Sequence, residues 1–117
     1  SVADRFQVVA MSFTGHIVGN RVRVEAVVPY VSIAGATGDV SATLWAGSTC
    51  IGATTVRVTV GGSSGQGITV VGYYTVAALT ATTLQLRVGP GVNTNTLTFN
   101  SKFNGLSMPF MIAQETA

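Results

Sequence analysis

The chain is short of charge. Only 9% of its 117 residues are Asp, Glu, Lys or Arg, where about a quarter is ordinary, while 47% are apolar. A small domain has a large surface, and six basic and four acidic side chains cannot cover it. Ser, Thr, Asn and Gly cover part of it. The remainder is expected to meet another protein chain. Cysteine is nearly absent too: Cys50 stands alone, which excludes an intrachain disulfide. There is one histidine, His16, and no run of Lys or Arg, so no nucleic-acid partner is expected through a basic patch. No stretch is long and apolar enough to span a bilayer as a helix, so membrane insertion is not expected. No Asn stands in a glycosylation sequon. Helical periodicity is missing over any helical length; residues 77–81 are the one short apolar candidate, and Thr-rich sequence follows them.

What the chain does have is period-two alternation. Leu84, Leu86 and Val88 share one parity, and Thr83, Gln85 and Arg87 the other, the pattern of a strand with one buried face. Pro90, between Gly89 and Gly91, is expected to stop that strand, since it cannot donate to a ladder. Leu97 and Phe99 open a further strand, Asn104-Gly105 reads as a tight turn, and residues 107–112 form an apolar strand near the end of the chain. A terminal strand so apolar must be held in a sheet. Upstream, residues 6–13 change parity, which predicts a bulge near Val9. Val22, Val24 and Ala26 alternate with Arg21, Arg23 and Glu25, and Pro29 is expected to interrupt that run. Residues 40–46, 50–53, 54–60 and 68–76 read as further strands, joined by Gly-rich turns. Eight or nine short strands at roughly ten-residue spacing predict one domain, residues 1–117, folded as an antiparallel β-sandwich or barrel.

Catalytic chemistry finds little here. His16, Cys50 and the carboxylates Asp4, Glu25, Asp39 and Glu115 are scattered, so the reading is no enzyme, no metal and no cofactor. A glycan hydrolase would need two carboxylates placed across a scissile bond. His16 reads as an exposed turn histidine, with a pH-sensitive contact or an axial ion ligand as the sharper alternatives. Cys50 reads as a small buried apolar residue. Residues 61–67 are glycine-rich, but no Lys follows as a phosphate loop requires. Ligand candidates are the aromatics able to stack on a sugar, Trp45, Tyr73 and Tyr74, with Arg57 and Arg87 supplying planar donors. Adjacent strand residues face opposite ways, so one of Tyr73 and Tyr74 belongs to the core and the outward one is the better candidate. Trp45 shares the parity of Ser41 and Thr43, opposite Leu44, and is expected to face outward. Arginines on outward positions shield edges or form inter-subunit pairs with Glu25 or Glu115.

The sequence from Leu84 through Gly89, the Asn/Thr-rich turn after it, residues 97–100, Gly105-Leu106-Ser107-Met108 and the short apolar strand ending near Glu115 together resemble the C-terminal tip domains of bacteriophage tail fibres and tail needles. They also resemble fibre-like trimeric adhesins of bacteria. The resemblance covers residues 40–115. It implies a jelly roll of the tumour-necrosis-factor/C1q kind, a homotrimer on a three-fold axis, a place on a virion tail or cell exterior, and recognition of a cell-surface glycan or receptor. It implies no catalytic residues. By the same resemblance Phe99, Phe103, Phe110 and Met111, in or beside the terminal strands, are expected at the subunit interface. Runs apolar on both parities, such as Val8-Val9-Ala10 and Phe110-Met111-Ile112, call for the same second burial surface. The rival function is structural: a capsid decoration or coat domain with no cell ligand.

Overall fold

A computed structural model describes residues 6–35, 37–59, 66–91, 96–99 and 108–117. The described residues form eight strands and no helix: β1 (Phe6–Thr14), β2 (Arg21–Ala34), β3 (Gly38–Ala46), β4 (Thr49–Val58), β5 (Gln66–Thr75), β6 (Ala81–Pro90), β7 (Thr96–Phe99) and β8 (Phe110–Thr116). Two antiparallel sheets face each other as a β-sandwich. One has the order β1-β6-β3-β4; the other is β5-β2, with β7 and β8 both pairing β2. The residues between them are those the alternation marked. Val22, Val24, Ala26 and Val28 of β2 face Leu84, Leu86 and Val88 of β6 across a core from which water is excluded. Each such side chain contributes about 1.5–3 kcal/mol by leaving water.

Four points along the strands each have a local cause, two of them expected from the sequence and two not. In β1 the register slips between Gln7 and Val9, which puts Val9, Met11 and Phe13 on the core side; this is the bulge that the parity change called for. Pro29 does not interrupt β2. The strand continues to Ala34 with a bulge between Val28 and Val31. The pairing with β8 ends at Val27 and that with β7 begins at Val31, so Pro29 falls where no neighbour requires its missing N–H. Pro90 is the last residue of β6, where the strand was expected to stop. It is buried opposite Val40, and the next ladder bond is given by Gly91 N–H to the Asp39 carbonyl at 2.8 Å. Pro90 therefore occupies a position where the antiparallel pattern asks for no donor. Residues 50–53 and 54–58 are not two strands but one, β4, with Ile51 as the extra residue between the pairs Leu44↔Gly52 and Trp45↔Cys50.

That last bulge reverses the reading of Cys50. The thiol is exposed, opposite Trp45 on the outer face, rather than buried. Residues 77–81 form no helix; they are a bent connection into β6. The terminal strand β8 is held in its sheet by β2, as its composition required. The Asn104-Gly105 turn, Phe103 and most of the glycine-rich stretch lie outside the described residues.

Along one side the sheets close on each other at two glycines. A Cβ on Gly72 of β5 would lie 2.6 Å from the Ile51 carbonyl oxygen, and one on Gly52 of β4 would lie 2.6 Å from the Val71 carbonyl oxygen. Backbone meets backbone there, so no side chain can rotate away to make room. With β4 beside β5 and β6 returning beside β3, these four strands follow the 4-1-2-3 order of a Greek key bent around the closed side. Gly72→Ala is expected to lower stability by about 1–3 kcal/mol through overpacking, whereas Ala53→Ser, on an exposed position of the same edge strand, should stay within about 0.5 kcal/mol of the parent. Urea unfolding followed by intrinsic fluorescence checks both.

Candidate functional site

Alternation that fills the core also decides what each outer face displays. On the outer face of the first sheet, Trp45 of β3 projects beside Gln85 and Cys50. The Arg87 guanidinium lies 4.4 Å from the centre of its ring and is steadied by Nε and Nη2 donating to Gln85 Oε1 at 2.9 and 2.6 Å. Trp45 Nε1 donates to Thr43 Oγ1 at 2.9 Å. A cation over an indole at a partly exposed site is worth about 0.5–1 kcal/mol, and its second effect is to hold the indole still. Further along the face, Arg57 Nη1 pairs with Asp39 at 3.3 Å across the β3–β4 ladder, and Ser41 and Thr55 share a hydroxyl hydrogen bond of 2.9 Å. This face is polar.

The outer face of the second sheet is of another kind. Tyr73 of β5 faces outward at 45% exposure, with the Arg21 guanidinium 4.4 Å from its ring centre. Arg23 Nη1 pairs with Glu25 at 2.9 Å along β2. Next to this charged strip the register sets Val71 and Ile112 on either side of Glu25, and Phe110 beside Val27. Phe110 is 46% and Ile112 56% exposed. Large apolar side chains thus stand together on three adjacent strands, and none of the described residues covers them.

The predicted site residues separate accordingly. Trp45, Arg57 and Arg87 share the first outer face, and Tyr73 lies on the second. Tyr74 points inward at one end of the sandwich, partly covered, where burial pushes its phenol above the ordinary value and Glu115 adds to the effect. Among the expected interface residues, Phe99 and Met111 pack against the core from the inner side, while Phe110 faces out. These three described residues do not share one face, and Phe103 lies outside the described residues. Ile112 and Val71, which belong to the runs apolar on both parities that called for a second burial surface, stand with Phe110; their parity is opposite to that of Met111 and Val70.

A polar clasp ties β8 to the connection between β1 and β2. Glu115 of β8 accepts hydrogen bonds from the backbone N–H groups of His16 (2.9 Å) and Ile17 (3.1 Å) and from Asn20 Nδ2 (2.9 Å), and His16 Nδ1 lies 3.1 Å from Oε1. Its side chain is only 10% exposed, against 85% for His16. The two acids considered for inter-subunit pairing, Glu25 and Glu115, are thus both engaged within the chain. Hydrogen bonding from the His16 backbone first, and from Asn20 next, holds the Glu115 carboxyl at about 2, below its ordinary 4.5. A carboxyl lowered in the folded state favours folding above its unfolded value and loses that effect as the pH falls toward its folded value. The urea midpoint should therefore decline between about pH 4.5 and 2, and Glu115→Gln should lower the midpoint at pH 7 and flatten the decline.

Among the described residues no group of three or more His, Cys, Asp or Glu side chains converges to hold a metal. Compared with known proteins, the chain matches no family model and no curated sequence.

Proposed function

We propose that this domain is the receptor-binding tip of a trimeric fibre, a jelly roll of the tumour-necrosis-factor/C1q kind, carried on a virion tail or a cell exterior. The observation that carries the reading is the uncovered apolar outer face of the second sheet, formed by Val71, Phe110 and Ile112 with Val27 beside them. Two further copies of the chain are the natural cover. The charges on that face are few, with Arg23 paired to Glu25 and Arg21 laid over Tyr73, so the repulsion between like faces comes from Arg21 alone. In a trimer built this way the polar first sheet remains outside. There the Trp45 indole, held by Arg87, offers a stacking surface and Arg57 a donor to a cell-surface glycan or receptor. The domain does no chemistry in this reading: it assembles and it binds.

Light scattering of the purified chain should give three times its 12.0 kDa mass, with a melting temperature that rises with protein concentration. Phe110→Asp and Ile112→Asp should each give monomer while circular dichroism stays β-type, since both side chains face away from the core. A stable, folded monomer at micromolar concentration would overturn the assembly reading. Labelled trimer should bind cells or extracted envelope components, and Trp45→Ala should weaken that binding about tenfold or more. A trimer that ignores cells but binds assembled capsids is the outcome expected of a decoration or coat domain.

A further inference from the structure

At the end of the sandwich that holds Tyr74 there is a cavity of about 380 Å³, open to solvent. It lies between the turn joining β3 to β4 and the bent connection from β5 to β6. The size falls in the range of small-molecule sites. Its wall is mixed in a particular way. Thr49, Tyr74, Thr80 and Thr82 bring hydroxyl groups to it, and Ile51 and Val76 bring apolar surface. No charged side chain lines it. The nearest ionic influence on its tyrosine is Glu115, whose sign opposes an anion.

The cavity is held in shape from behind. Gly47 N–H donates to the Thr83 carbonyl at 2.8 Å and fixes the β3–β4 turn against β6. Gly47 has φ +60°, the backbone that a two-residue turn needs and that side chains disfavour. On the other wall, Val76 N–H donates to the Asn20 carbonyl at 2.8 Å and its own carbonyl accepts from Gly19 N–H at 2.9 Å. Asn20 is in turn held by Glu115. A site preformed in this way loses little conformational freedom when a ligand enters.

We infer that this cavity binds one neutral sugar residue. A pyranose presents hydroxyl groups around its rim and C–H groups on its faces, and the wall offers threonine hydroxyls beside Ile51, Val76 and the Tyr74 ring. An anionic sugar finds no cation among the lining residues, and a purely apolar ligand would displace water from the threonine hydroxyls without replacing its hydrogen bonds. The inference deepens the tip reading above: it assigns the specificity-giving sugar to the end of the sandwich, and leaves the outer-face aromatics to contact the rest of the glycan.

The experiment is an amide NMR titration of the intact chain with methyl glycosides of glucose, galactose, mannose and N-acetylglucosamine, and with N-acetylneuraminic acid as the anionic comparison. At least one neutral glycoside should give saturable shifts, in the millimolar range, confined to Ile51 and residues 74–82. Tyr74→Phe combined with Thr80→Val should weaken it about tenfold. Ala78→Trp, an exposed change at the cavity wall, should abolish it with core amide shifts unchanged. No saturable shift with any neutral glycoside to about 100 mM, tighter binding of the anionic sugar, or full binding by Ala78→Trp would each overturn the inference. Cell binding through Trp45 without sugar shifts at the cavity overturns it and leaves the tip reading standing. Sugar shifts at the cavity in a chain that binds no cells keep it and remove the tip reading.

Discussion

Everything in the second sheet hangs on β2. It pairs β5 along one edge, and β7 and β8 end to end along the other, so three strands take their register from one. Its inward side chains, Val22, Val24, Ala26, Val28, Val31 and Ile33, are all buried. Because the period is two, a slip by a single residue would carry this whole set to the outside and bring Arg21, Arg23 and Glu25 into the core. Burial of valines on one face therefore fixes the display of arginine, tyrosine and phenylalanine on the other. The bulge at Pro29 moves the inward positions from even to odd residue numbers, so one face stays buried across fourteen residues, and the gap between β8 and β7 is where the chain can accommodate it.

The two outer faces divide the molecule by chemistry. One is covered by hydroxyls, amides and a guanidinium laid over Trp45. The other carries Phe110, Ile112 and Val71 beside a short strip of two arginines and one glutamate. A chain with 9% charged residues has too few to treat both faces alike, and it spends them unevenly. Proposed assembly and proposed recognition follow from that unevenness: the apolar face is for copies of the chain, the polar face and the cavity beside Tyr74 for a ligand.

At one end of the sandwich the separate elements become a single unit. Glu115, from the last strand, gathers the backbone of the β1–β2 turn, and Val76 binds that turn to the β5–β6 connection. Three segments far apart in sequence are tied there by directional bonds. The same network backs one wall of the cavity, so stability at this end and the shape of the cavity share a cause.

Alternation alone determined the strand content, the core residues of β2, β3 and β6, the outward direction of Trp45, and the bulge in β1. These are local properties, because side-chain parity along a strand needs only the order of residues. The exposure of Cys50 was not legible, since it depends on one extra residue, Ile51, relative to a partner strand. Neither was the tolerance of Pro29 within β2, which depends on where neighbouring ladders ask for no donor. That Phe110 stands with Ile112 and Val71, while Phe99 and Met111 turn inward, required the registers of β8 and β7 on β2. The clasp of Glu115 on His16 joins residues 99 positions apart, and the cavity is closed by loops from both sheets. Contacts of that range are set by how strands stack and cross, so only the tertiary structure decided them.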